Sequence, residues 1–168
     1  GYAGYCQLNR SAHMVFPFGT IAMRSSLVSA LCSCLAVFVL YQLVILSFSA
    51  FAGAVTALLF AVSFTFWSQA NIQEVYGLHI FFICLLLFLS VKAVQTRSVR
   101  MLYLLGFVFG LSSSHHLLTV FVVPGVVVFL YISEKAVYHK SRIRNYLVAV
   151  GFFFLGLSSL MYFPLRSE

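Results

Sequence analysis

The stretch SSLVSALCSCLAVFVLYQLVILSFSAFAGAVTALLFAVSFTFWSQANIQ, residues 25–73, contains no Asp, Glu, Lys or Arg. At about 1.5 Å of rise per residue, one helix of that length would be more than twice the ~30 Å thickness of a bilayer's apolar core. The run must turn once. The turn is expected at Ser47, Phe48 and Ser49, where polar signals are weak, leaving spans at about 27–45 and 51–67. Further runs without charge cover 75–91, 101–133 and 145–165. Runs of about 18 or more such residues read as lipid-spanning helices. Hydrophobic residues make up 62% of the chain and charged ones 8%, with mean hydropathy +1.05. Soluble domains carry about a quarter charged residues, so this inventory cannot make a water-soluble surface. Apolar stretches recur to the C-terminal end, which excludes a secretory signal followed by a globular domain.

The third span is expected at 76–91. Run 101–133 is long for one crossing and short for two. The polar cluster Ser112, Ser113, Ser114, His115 and His116 near its middle marks a reversal, giving spans at about 101–113 and 117–133, with a last one at 146–163. The reading is all-α: a polytopic membrane helical bundle of about six transmembrane helices, a single transmembrane domain over 1–168 with a lumenal loop at 1–26. Lys/Arg bias tests the count, because only a correct parity gathers the bases on one side. With six spans, segments 92–100 and 134–144 share a side holding Lys92, Arg97, Arg100, Lys135, Lys140, Arg142 and Arg144, which should be cytosolic. The other side receives Arg10, Arg24 and Arg166 with Glu74 and Glu168. A single crossing by 101–133 would abolish the asymmetry. The net charge of +7 thus flanks a bilayer. Membrane lipid is the expected partner and nucleic acid is not.

Polar residues collect on the non-cytosolic side: Trp67, Gln69, Asn71, Gln73, Glu74 and His79 from one reversal, His115 and His116 from another, and Arg166 from the end. At membrane depth such groups cost several kcal/mol unless they face a wet cavity or find partners, so a shared cavity is expected. Glu74 is the only acid between Gly1 and Ser133. It has the chemistry to orient a hydroxyl, act as base or hold a cation; an exposed interfacial carboxylate is the plainer reading. His115 and His116 diverge by about 100° on a helix, which disfavours a shared metal. Arg24 and Arg166 suit a lipid phosphate through their planar forks, or snorkel to headgroups. Cys6, Cys32, Cys34 and Cys84 lack zinc spacing, and no metal site is expected. Asn9-Arg10-Ser11 matches the glycan acceptor pattern. No phosphate-cradling glycine loop or catalytic triad order is present.

Several segments resemble a known family. Gly1-Tyr2-Ala3-Gly4-Tyr5, Phe16-Pro17-Phe18-Gly19 and Arg24 before Leu27 are similar to the first loop and second span of the transmembrane protein O-mannosyltransferases and their bacterial relatives. Trp67-Ser68-Gln69-Ala70 running into Glu74-Val75-Tyr76-Gly77-Leu78 strengthens the likeness, as do Gly110-Leu111-Ser112 leading to His115 and His116, and Tyr162-Phe163-Pro164-Leu165-Arg166. The resemblance implies a GT-C type fold in the endoplasmic reticulum membrane. It also implies a lumenal active site, a polyprenyl-phosphate sugar donor such as dolichyl phosphate mannose, a protein acceptor and no other cofactor. It places Glu74 in a supporting catalytic role, Trp67, Gln69, Asn71, Tyr76, His115 and His116 on the substrate, and Arg24 and Arg166 on the donor phosphate. The family's main acid lies in an Asp-x-Gly-Glu segment that would precede Gly1, so this chain is expected to be a fragment, inactive alone. Ala3 stands where the family has Pro, and His115 is an extra histidine. The rival class is a non-catalytic polytopic membrane protein, such as a transporter or assembly subunit. A transporter would show internal repeats or broken helices with charges at mid-membrane.

Overall fold

The computed structural model describes residues 20–71, 76–134 and 142–158, and every regular element among them is helical. In order these are α1 (Ile21–Ser47), α2 (Ala50–Ala61), α3 (Phe64–Asn71), α4 (Tyr76–Thr96), α5 (Val99–His115), a 3-10 segment (Leu117–Val122), α6 (Val123–Glu134) and α7 (Arg142–Leu157). The all-α class follows directly. The chain divides into two compact units, Tyr2–Leu85 and Leu86–Glu168, with α4 running through the boundary.

In the N-terminal unit, α1 starts where Thr20 accepts a hydrogen bond from the Met23 amide at 3.3 Å. It ends at Phe48, whose amide reaches the Val44 carbonyl at 2.8 Å. Ser49 then caps α2 by accepting from the Ala52 amide at 3.2 Å. The helix break therefore falls at 48–49, inside the segment expected to turn. One face of α1 is small and buried: Ser25, Ser29, Cys32, Ser33 and Ala36 recur at helical spacing. A Cβ on Gly77 would stand 2.7 Å from Ser33 Oγ and 2.9 Å from the Ser29 carbonyl, so the start of α4 approaches that face closely. Likewise a Cβ on Gly53 would lie 3.0 Å from Ile45 Cγ1, which records how tightly α2 folds back on α1.

The span expected at 51–67 falls on a bent pair, α2 and α3 meeting at 66°. The cause is local. Ser63 sends both its amide (3.2 Å) and its hydroxyl (2.8 Å) to the Phe60 carbonyl, while its own carbonyl accepts from the Trp67 amide at 2.9 Å. A serine that turns back on the preceding turn competes with the helical ladder and bends it. The Phe60 and Phe66 rings, 4.3 Å apart, fill the inner side of the bend.

In the C-terminal unit the dominant packing is α5 against α7. Cβ atoms on Gly106 and Gly110 would run into the Ala149 and Phe153 carbonyls, and one on Gly156 into the Phe107 carbonyl. Backbones this close need small residues, the usual means of helix association in lipid. Tyr103 stacks on Phe152 (5.6 Å) and donates to Asn145 Oδ1 at 3.3 Å; Phe109 stacks on Phe153 at 5.2 Å. Large side chains elsewhere, such as Leu58, Leu59, Phe129, Ile132 and Phe154, face outward. That is the arrangement expected where lipid is the solvent.

Among the described residues two helices are long and apolar enough to cross a membrane, 23–47 within α1 and all of α4; the bent pair, taken as one span, makes a third. The apolar segments 117–133 and 143–157 are shorter. Two to three of the described helices thus have the length of a full crossing, where run lengths and charge lead to an expectation of six spans.

Candidate functional site

In the N-terminal unit, α3 and α4 carry the candidates that flank residues 72–75. Trp67 is exposed at 64%, Tyr76 is exposed, and Gln69 is half-buried with its Oε1 enclosed and without a hydrogen-bond partner. An enclosed amide oxygen is an acceptor waiting for a donor. Arg24 is half-buried in the first turn of α1, a position where the helix dipole favours anions. His79 is buried at 8%, one turn into α4. Glu74 and Arg166 lie outside the described residues, as does the Asn9 acceptor pattern. The Asn71 side chain does too, although its backbone closes α3.

In the C-terminal unit the two histidines separate in role. His115 is the last residue of α5 and almost fully buried, at 1% exposure. His116 leaves the helix with extended backbone and is half-buried; its ring Nδ1 accepts from the Leu118 amide at 3.3 Å, capping the 3-10 segment. The neutral ring then carries its proton on Nε2, a donor. The rings lie 6.5 Å apart at 62°. Among the described residues no group of three or more His, Cys, Asp or Glu is placed to hold a metal ion.

Sequence reasoning passed over Thr119, which closes this node. Its hydroxyl lies 2.9 Å from Ser112 Oγ and 3.4 Å from the Ser112 carbonyl, and its amide donates to the His116 carbonyl at 3.1 Å. Thr119 and Ser112 are both at 0% exposure. The two hydroxyls thus clasp the turn that holds both histidines.

Residues 1–139 match the family described as the protein O-mannosyl-transferase TMEM260 N-terminal domain. The chain belongs to this family. No curated protein matches it, and no solved structure does. The match takes in every candidate above except Arg166 and stops before α7. For a TMEM260 N-terminal domain, a membrane protein with a glycosyltransferase-like role is the direct reading, with a sugar donor and a protein acceptor as its partners.

Proposed function

We propose that this chain is part of a membrane glycosyltransferase that moves mannose from a polyprenyl phosphate, such as dolichyl phosphate, to a protein Ser or Thr on the lumenal side of the endoplasmic reticulum membrane. The family match over residues 1–139 is the observation that carries the reading. The reaction is an inverting displacement. An acceptor hydroxyl oxygen attacks the sugar's anomeric carbon, the bond from that carbon to the phosphate oxygen breaks, and the hydroxyl proton passes to a carboxylate base, expected upstream of Gly1. Glu74 orients the acceptor or a sugar hydroxyl. Arg24 or Arg166 takes the charge that develops on the departing phosphate, where a fixed cation is worth most. His116 offers substrate its Nε2–H as donor, and its fixed Nδ1 supports that role. Gln69, Asn71 and Tyr76 border the acceptor, and His115 backs the turn. Water must be kept out, or hydrolysis competes.

The test is mannose transfer by the full-length protein in membranes supplied with lipid-linked mannose. Glu74→Gln should cut transfer tenfold or more, about 1.4 kcal/mol of barrier, with expression unchanged. Unaltered transfer would remove Glu74 from the site. A wild-type protein that transfers no sugar from any polyprenyl phosphate would point to a non-catalytic membrane subunit.

A further inference from the structure

The seam between α5 and α7 has a direction. Tyr103 bonds to Asn145 across it, and Cβ atoms on Gly106 and Gly110 would meet the Ala149 and Phe153 carbonyls in turn. Partners advance together along both helices, so α5 and α7 run parallel, and the chain between them returns to the end where α5 began. Carried back to the first turns, this register sets Arg100, the second residue of α5, level with Arg144, the third of α7, to within ~3 Å of axial rise. Both side chains are exposed, as is that of Arg97 in the turn before α5.

The two arginines also share a side of the seam. At about 100° per residue, Arg100 and Leu104 lie on the following side of the α5 contact line, and Arg144, Val148 and Leu155 on the preceding side of the α7 line. On parallel helices that face each other, those two sides border one groove. Leu104, Val148 and Leu155 are exposed. Where lipid is the solvent they contact acyl chains, so each guanidinium sits at the end of an apolar strip, one turn from a lipid-facing side chain. Positive charge dominates there: α5 and α7 carry no acid, and segments 92–100 and 134–144 hold seven bases against one acid, Glu134. A lone snorkelling arginine asks only for water or any headgroup. Two planar forks at one level suit a phosphate, and they disfavour a zwitterionic head, whose ammonium they repel.

We propose that the groove beside the α5–α7 seam seats one anionic phospholipid, its phosphate on Arg100 and Arg144 and an acyl chain along Leu104, Val148 and Leu155. Arg97 adds attraction from the adjoining turn. Such a seat serves in either leaflet and is independent of sugar transfer.

Native mass spectrometry of the full-length protein, incubated in detergent with equal amounts of dioleoyl phosphatidylglycerol and dioleoyl phosphatidylcholine, counts the lipids retained. The wild type is expected to keep several-fold more of the phosphatidylglycerol. That preference should fall as ammonium acetate rises from ~0.05 to ~0.5 M, because exposed charges are screened more strongly at the higher value. Arg100→Gln/Arg144→Gln should lose most of the preference with phosphatidylcholine retention unchanged, whereas Arg100→Lys/Arg144→Lys should keep part of it. Equal retention of the two lipids by the wild type, a preference that salt leaves alone, or one that survives the glutamine pair intact would overturn the inference. So would displacement of the phosphatidylglycerol by inorganic phosphate at the same concentration, since that ion has no acyl chain to place. Should the glutamine pair fail to fold, Arg144→Gln alone decides: a smaller preference is expected, and an unchanged one is contrary.

Discussion

The Thr119 hydroxyl and its neighbour at Ser112 form a buried pair with no access to water. Thr119→Val keeps the shape and strands Ser112 Oγ, so a loss of about 1–2 kcal/mol is expected, smaller where the unfolded state in lipid also finds partners. Adding Ser112→Ala should cost less than the sum of the single changes, since the two share one interaction. Thermal unfolding in detergent would read both. At Arg97 the sign reverses. This residue closes α4 with φ of 50°, a left-handed conformation that a side chain resists. Arg97→Gly should therefore stabilise by about 0.5–1 kcal/mol, and a lower unfolding temperature would refute the argument. The histidines and Ser112 stood out in the sequence as polar groups in an apolar run. Their division of labour did not, because adjacency says nothing about which ring turns inward. Thr119 was invisible for a geometric reason: seven residues along a continuous helix lie about 10 Å apart, and only the break at His116 brings the two oxygens together.

Among the helices, α5 and α7 make the most specific demand on sequence. Gly110→Leu has to displace the Phe153 backbone, and separation of the pair with loss of cooperative unfolding is expected. Gly125 and Gly151 provide the contrast, as nothing stands within 4 Å of a Cβ at either. Ala at those two positions should be neutral or add up to about 1 kcal/mol, through helix propensity alone. Equal damage at all three glycines would mean that close approach is not what holds the pair. Gly106 and Gly110, spaced four apart in the run GFVFG, were legible as a packing motif; the serine stripe of α1 was legible in the same way. Neither bears on where a span begins or ends, so run length and charge do not expose them. The break at 48–49 sat where weak polar signals suggested. The bend at Ser63 did not announce itself, since a single serine in an apolar run is common and bends a helix only when its hydroxyl turns back on the ladder.

Across the whole chain the Lys/Arg bias carries a proposed orientation, with 92–100 and 134–144 cytosolic. Arg97 and Arg100 are exposed around the α4–α5 junction, Arg144 is exposed at the start of α7, and Lys92 lies 5.1 Å above the Phe88 ring near the end of α4. With 92–100 and 134–144 in the cytosol, Arg97→Cys and Lys140→Cys should react with an impermeant maleimide only from the cytosolic face, and Asn71→Cys only from the lumenal face. The reverse pattern would overturn the orientation and the lumenal chemistry with it. Membrane class and transferase kinship could be read from composition and short motifs. The number of crossings rests on less, because run length counts residues and is blind to a helix that turns, and two to three of the described helices have full crossing length. The seam of α5 and α7 has one more implication. Its two halves lie more than forty positions apart, as the Tyr103 to Asn145 bond at a separation of 42 shows, and the family match ends between them. A polypeptide stopped at 139 would keep all the matched residues yet leave Gly106 and Gly110 bare. Such a flat glycine ridge, left without its own late-arriving helix, is the kind of surface on which two identical truncated copies would zip together.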